Sequence, residues 1–316
     1  MLKRRTQKKI IVVTRQTRAD NLLKRFSTAS QASFFVKSRG GNFADYQQED
    51  KTYKAAVAKA EAVLNTWGRV QVIDRKYLPN FIFAPDDTVV AIGQDGLVAN
   101  TLKYLLEGQA LIGVNPEPER WDGVLLPFQP NELADIIPLV LAGSHTEQNV
   151  TMARARFNDG QTILAVNDFF VGQQSHTSAR YILEIAGEEE RHSSSGIVIS
   201  TGLGSTGWLK SLLGGAVSIA QKISGTSILS SAESVKLPWD SQSLYFTVRE
   251  PFPSVSTQAD LVFGSITSNQ PLKIRSLMSE GGVLFSDGIE SDFIEFNSGS
   301  QVTIDLAEEQ GHLVVR

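Results

Sequence analysis

The chain has no cysteine in its 316 residues. Disulfides, thiolate nucleophiles and cysteine-based zinc sites are therefore excluded, and the absence fits a reducing compartment. Histidine is scarce too: His145, His176, His192 and His312 are the full set. No two of them stand at the spacing of a helical zinc motif. All four read as surface or loop residues, with His176 nearest the motifs described below. No apolar run approaches the roughly 18 residues that cross a bilayer. The basic start is followed only by the short apolar run Ile10 to Val13, too little for the core of a secretion signal. A soluble, cytoplasmic protein is the expectation. An excess of one charge is also missing. The formal net charge of −4 gives no field that would recruit nucleic acid or an anionic membrane. The one basic cluster, Lys3, Arg4, Arg5, Lys8 and Lys9, reads as a solvated terminus, the alternative being a weak polyanion contact.

What is present is ordinary in bulk and specific in pattern. Hydrophobic residues are 41% and charged residues 20%, as in a soluble globular protein, and the length suffices for two domains with separate cores. Ile10 to Thr14, Val70 to Ile73, Thr88 to Ile92 and Ala110 to Val114 read as buried strands. They alternate with helical patterns around Leu22 to Phe26, Ala32 to Val36, Tyr53 to Leu64, Leu97 to Leu106 and Leu133 to Leu141. Such alternation predicts a parallel sheet covered by helices. The pattern changes after about Gly143. Met152 to Phe157 and Thr162 to Val171 flank Asn158-Asp159-Gly160, a hairpin signal. Short strands follow at Tyr181 to Ile185, Ile197 to Ser200, Leu244 to Val248, Leu272 to Leu277, Val283 to Phe285, Phe293 to Phe296 and Val302 to Leu306. One helix interrupts them, at Ser205 to Leu213. The predicted architecture is an α/β domain, Rossmann-like with a parallel sheet, over residues 1–143, and a β-rich sandwich domain over 144–316. The run Glu188-Glu189-Glu190 reads as a solvated hairpin tip.

The most informative stretch is Gly93-Gln94-Asp95-Gly96, between the strand ending at Ile92 and the helix beginning near Leu97. Open α/β sheets bind ligands at the carboxyl ends of their strands. Glycines there let backbone N–H groups approach phosphate, and a helix start adds partial positive charge. Asp95 beside such a loop suits phosphoryl transfer to a hydroxyl, as acceptor of the hydroxyl proton or as its guide. The competing reading is a turn in which Gly and Asp serve conformation and capping. At the end of the first strand, Arg15 and Arg18 could grip phosphate bidentately or simply begin a surface helix. Thr14-Arg15-Gln16-Thr17-Arg18 contains no Gly-x-Gly-x-x-Gly, which argues against a dinucleotide dehydrogenase. Trp208, after a Ser-Thr turn, is suited equally to stacking on a purine and to core packing.

Taken in order, Gly93-Gln94-Asp95-Gly96, Asn167-Asp168 and Gly204-Ser205-Thr206 resemble the loops of the NAD kinase family: a Gly-Gly-Asp-Gly loop, an Asn-Glu pair and a Thr-Gly-Ser-Thr-rich turn opening a helix. Phe285-Ser286-Asp287-Gly288 is similar to the family's last motif, so the resemblance spans about Ile11 to Val302. Thr14 to Arg18, Ile112 to Arg120, Ser194-Ser195-Gly196 in place of Gly-Asp-Gly, and Trp208 in place of Tyr look most like the mitochondrial-type branch. The resemblance implies an ATP-dependent kinase whose acceptor is NAD. In it Asp95 is catalytic, while Gly93, Gly96, Gly204, Ser205, Thr206, Arg15 and Arg18 serve the nucleotide and its phosphates. Asn115, Asn167, Asp168, Thr201 and Trp208 serve the acceptor. Mg²⁺ arrives with ATP and needs no dedicated protein ligand. A homodimer or higher homo-oligomer is implied as well. Three departures bear on substrate choice. Gln94 replaces the second loop glycine, Asp168 is one methylene shorter than Glu, and Leu203 stands where Thr is usual. They leave NADH, another sugar or polyol hydroxyl, polyphosphate as donor, and a nucleotide-binding regulator with little turnover as alternatives.

Overall fold

The computed structural model describes residues 4–106, 108–225 and 236–316; Lys3 of the basic cluster lies outside them. The chain forms two compact units, Met1–Gln148 with His312–Arg316, and Asn149–Gly311. The division falls a few residues beyond Gly143. The last residues join the first unit rather than the second because Gln301–Val315 is one long strand, and His312 and Leu313 near its end pair with Ala110 and Leu111. Its polar stretch Glu308-Glu309-Gln310-Gly311 hides that continuation in the sequence.

In the first unit, β1 (Lys9–Thr14), β2 (Arg69–Asp74), β3 (Thr88–Ile92) and β4 (Ala110–Val114) form a parallel sheet in the order β2-β1-β3-β4. Ile10 to Val13 and Val89 to Ile92 are fully buried. The sheet is covered on both faces, as unbroken β-branched runs require. The helices are α1 (Arg18–Phe26), α2 (Ala29–Lys37), α3 (Phe43–Leu64), α4 (Asp95–Leu102) and α5 (Leu133–Ala142). Tyr53, Ala60 and Leu64 of α3 and Leu133, Ile136 and Ile137 of α5 share a core with Ile10, Val12, Val90, Ile92, Ile112 and Val114. α3 begins ten residues ahead of the apolar stripe seen in the sequence. Its first turns are mostly polar, yet Phe43 packs with α2 and the buried Glu49 is held by two arginines. Pro79 lies in a 3₁₀ turn, Arg75–Asn80, that follows β2.

The second unit is antiparallel. Its strands are β5 (Thr146–Phe157), β6 (Thr162–Ala165), β7 (Asp168–Gln173), β8 (Ala179–Ile185), β9 (Glu188–Ser194), β10 (Ile197–Ser200), β11 (Leu244–Val248), β12 (Phe263–Ile266), β13 (Leu272–Ser276), β14 (Gly282–Ser286), β15 (Ile294–Glu295) and β16, the long last strand. One sheet runs β12-β11-β10-β7-β14-β15. Facing it in the same core are β5, β8, β13 and β16. Tyr181, Leu183, Ile274, Val302 and Ile304 pack in that core with Phe169, Val171, Ile197, Ile199, Phe246 and Leu284. This is a sandwich, with inward residues at every second position. Outward-facing Phe170, Val198 and Val283 are covered by Trp208 and Leu212 of α6 (Trp208–Ser224). α6 starts later than expected, because Gly204–Thr206 form a separate 3₁₀ turn. The Asp159-Gly160 hairpin forms, with Ala153 opposite Ala165 and Arg156 opposite Thr162.

Two local readings are corrected. Glu188 to Glu190 is not a hairpin tip but the start of β9. The tip is Ala186-Gly187, with φ of 53° and 86°, the left-handed pair that a tight hairpin demands. Glu190 is buried and accepts the backbone N–H groups of Asp260 and Leu261. His192 is not at the surface either. It is fully buried, stacked on Tyr181 at 5.3 Å, with Nε2 2.9 Å from the Glu190 carboxylate. No helix among the described residues is long and apolar enough to cross a membrane.

Candidate functional site

The parallel sheet of the first unit places the carboxyl ends of β1, β3 and β4 side by side, through the registers Val13 with Ala91 and Ile92 with Val114. Arg15, the Gly93 to Gly96 loop and Asn115 follow those three ends. One side chain ties two of them. The Tyr53 hydroxyl donates to the Ile92 carbonyl and accepts the Arg15 N–H, both at 2.9 Å. Burial pushes its pKa up to about 12, so it remains a neutral donor.

Asp95 is the first residue of α4 and is partly exposed. Its Oδ1 accepts the Leu125 N–H at 2.9 Å, and among the described residues no protein donor meets Oδ2. One carboxylate oxygen is thus fixed and the other is open. Gln94 occupies the N-cap position without a capping side-chain bond. The Asp95 and Gly96 amides therefore have no intrahelical acceptor and no capping side chain, while the Leu97 and Val98 amides go to the Gln94 carbonyl. A Cβ on Gly96 would meet nothing within 4 Å, so the space beside Gly96 is open. Gly93 differs. Its N–H is spent on the Val114 carbonyl, and a Cβ there would press on Leu97. It shapes the loop and offers no amide to a ligand.

Arg15 and Arg18 are committed to Glu49, which is 3% exposed. Burial alone would raise the Glu49 pKa, but the hydrogen bonds and charges of Arg18 and Arg15 bring it below the ordinary carboxylate range. Asn115 is buried and works within its own loop, donating to the Trp121 carbonyl and accepting the Glu117 N–H. Its position is that of a loop brace.

In the second unit the pairing β10-β7-β14 gathers the other motif residues. Ser200 lies opposite Asp168, and Ser286 opposite Phe169. The expected strand Thr162 to Val171 is broken at Val166-Asn167, and the reason is Asp287. Its carboxylate accepts the N–H groups of Val166, Asn167 and Asp168, at 3.0, 2.7 and 3.3 Å. Thr201 locks the same turn from the other side. Its Oγ1 donates to the Val166 carbonyl and accepts the Gly204 N–H, and its own N–H goes to the Asn167 carbonyl. A Cβ on Gly204 would lie 2.2 Å from the Asn167 oxygen, so only glycine fits. The Gly204 and Ser205 amides and the Ser205 hydroxyl are all engaged internally. Thr206, by contrast, is exposed. Beyond it, α6 begins at an N-cap with no side-chain hydrogen bond.

Asp168 is the electrostatic centre of this group. Burial raises its pKa to about 7; the Ser200 hydroxyl opposes the rise and the Asp287 charge adds to it. Its Oδ1 is sealed from solvent and has no partner among the described residues. Trp208 stacks on Phe170 at 5.7 Å with an interplanar angle of 16°, and Arg249 lies over its ring at 5.5 Å. Core packing accounts for one of its faces. His176 is exposed on the loop after β7, at the opposite end of that strand from Asp168. Among the described residues no group of three His, Asp or Glu side chains is placed to hold a metal.

Sequence reasoning missed Asp287, Glu49, Tyr53 and Ser200. Asp287 was visible only as a member of a motif and Tyr53 only as the start of an apolar helical stripe; Glu49 and Ser200 carried no pattern of their own, because their roles depend on neighbours far away in the chain.

No family model and no curated protein matches the chain. Solved structures share its fold, among them two kinases. The NAD kinase from Archaeoglobus fulgidus in complex with ATP aligns at a TM-score of 0.57 and 15% identity, covering 97% of this chain and 93% of its own. Yeast NADH kinase complexed with NADH aligns at a TM-score of 0.59 and 14% identity, covering 98% and 84%. The chain has the NAD kinase fold.

Proposed function

We propose that this protein is an ATP-dependent kinase of a ribose hydroxyl, its acceptor being the 2′-hydroxyl of the adenosine ribose of NAD and its product NADP. The observation that carries this reading is Asp95, a carboxylate anchored through Oδ1 and open at Oδ2, at the uncapped start of α4. Phosphoryl transfer needs positioning and charge neutralisation more than covalent help. In the proposed step the acceptor hydroxyl gives its proton to Asp95 Oδ2 as its oxygen bonds to the γ-phosphorus, and the bond to the β-phosphate oxygen breaks to release ADP. The α4 amides and the empty space at Gly96 suit a phosphate group. Mg²⁺ carried by the nucleotide supplies the remaining neutralisation. Asn167 and Asp168 hold the acceptor, with Thr201 and Gly204 shaping their turn. Thr206 and the start of α6 serve a phosphate, and the Trp208 ring serves a base.

The fold supports the reading, since one neighbour is described with ATP and the other with NADH. The motif set most resembles the mitochondrial-type branch, and assembly as a homo-oligomer belongs to the same reading. The test is a turnover panel. Purified protein and Mg²⁺ are given ATP or polyphosphate together with NAD, NADH, or a set of sugars and polyols, and products are identified by mass. NADP from ATP and NAD is the expected result. Phosphorylation confined to a sugar or polyol would reassign the acceptor, and binding without any product would make the protein a nucleotide-dependent regulator.

A further inference from the structure

We propose that Asp287 is the positioning residue of the acceptor site, one that folds the Val166-Asn167-Asp168 turn onto its own carboxylate and so aims the Asn167 and Asp168 side chains. The inference rests on the acceptor role given above to Asn167 and Asp168. Three successive N–H groups converge on the Asp287 carboxylate, and the Asp287 N–H returns to the Asp168 carbonyl at 2.9 Å. Such a run of amides is a small anion nest, and here the anion is supplied by the chain itself. Asp287 has φ of +54° and Gly288 of +70°. Left-handed backbone at a residue other than glycine carries a cost, and aspartate is among the residues that tolerate it best. The strain points to a side chain that must reach one particular place.

The clamp has two consequences. The first is geometric. With its amides held by Asp287, the Val166 carbonyl held by Thr201 Oγ1 and the Asn167 carbonyl held by the Thr201 N–H, the turn backbone is fully engaged. The parts left for a ligand are the Asn167 side chain and the Asp168 carboxyl. The second is electrostatic. Among the described residues, the groups facing Asp168 are Ser200 from β10 and Asp287, just after β14. Residues 201–206 and β6 bring no charged side chain. Asp287 thus helps keep Asp168 protonated near neutrality, and an acceptor that donates two ribose hydroxyls prefers the ionised form. Acceptor affinity should therefore rise as pH increases through the Asp168 midpoint.

The experiment compares wild type with Asp287→Asn. The asparagine Oδ1 can still accept the three amides, but the charge is gone. The readouts are the ¹³C titration of the Asp168 side chain, and the KM and kcat for NAD across pH. Removing a neighbouring like charge moves the Asp168 midpoint to lower pH, by about half a unit or more. Well above that midpoint the KM for NAD rises about three- to ten-fold as the weaker neutral clamp loosens the turn, while kcat changes by less than about two-fold. An unmoved midpoint overturns the inference whatever the activity. A moved midpoint with unchanged KM overturns the positioning role. If wild type neither binds nor phosphorylates NAD yet the midpoint moves, the functional reading fails and the clamp stands. Should Asp287→Asn not fold, Asp168→Asn keeps the clamp whole and must abolish the pH dependence of KM; retention of that dependence overturns the inference.

Discussion

Gly204 lies so close to Asn167 that a Cβ on it would stand 2.2 Å from the Asn167 carbonyl oxygen and 2.7 Å from Ser200 Oγ. The carbonyl cannot yield cheaply, because it already accepts the Thr201 N–H. Gly204→Ala is expected to cost about 1–3 kcal/mol of stability, the range for overpacking a dense site. Denaturant unfolding measures that loss. The acceptor site should suffer with it, so the KM for NAD should rise at temperatures where the variant is still folded.

Gly96→Ala should do the opposite to stability. A Cβ there meets nothing within 4 Å, and alanine in a helix is favoured over glycine by roughly 0.5–1 kcal/mol. The methyl group would stand in the open space beside the first turn of α4, where the proposed phosphate sits, so the KM for ATP should rise while the melting temperature holds or increases. Unchanged use of ATP would mean that the phosphates lie elsewhere.

Much of this arrangement is legible in the sequence. The four parallel strands announce themselves as short β-branched runs, and Asp95 stands out because it interrupts glycines at a strand end. The turn at Asn167-Asp168 is not legible as a turn. Thr162 to Val171 is apolar enough to pass for one strand, and the break is made by a carboxylate more than a hundred residues away. Burial of Glu190 and His192 is hidden for a similar reason. Three glutamates in a row suggest solvent, and only the backbone amides of Asp260 and Leu261 explain why one of them points inward. Glu49 lies in a polar stretch of α3 and becomes structural only because Arg15, just after β1, and Arg18, the first residue of α1, both reach it.

Glu49 should carry stability that acid removes. Its folded pKa lies below the ordinary value, despite burial, because Arg18 and Arg15 hold it. The contribution is therefore fully present above its unfolded pKa and disappears as pH falls through the folded value. Glu49→Ala leaves the largely buried Arg15 guanidinium without its partner, a change that costs about 3–5 kcal/mol when a buried pair is broken. Unfolding at neutral pH should show that loss, and the gap between variant and wild type should narrow in acid.

His192 predicts a second acid effect, in the second unit. Burial lowers its pKa below 6.5, and the nearby Glu190 opposes that shift without reversing it. The folded protein therefore keeps it neutral where the unfolded chain takes up a proton. Stability from this group is whole above 6.5 and is lost as pH falls through the lowered folded value. Unfolding free energy should drop as pH falls below about 6.5, and His192→Gln should flatten that slope. An equal slope in both proteins would assign the acid sensitivity to other groups.

The central claim is that Asp95 receives the proton of a ribose hydroxyl while ATP phosphorylates it. The most direct measurement is the rate of NADP formation from NAD and Mg-ATP by wild type and by Asp95→Asn, with product confirmed by mass and both proteins shown to be folded. Asparagine keeps an oxygen for the Leu125 N–H and removes the base. The account predicts NADP from wild type and a rate lower by about a hundred- to ten-thousand-fold in the variant, the usual worth of a general base. A variant that keeps most of the wild-type rate, or a wild type that forms no NADP, would contradict it.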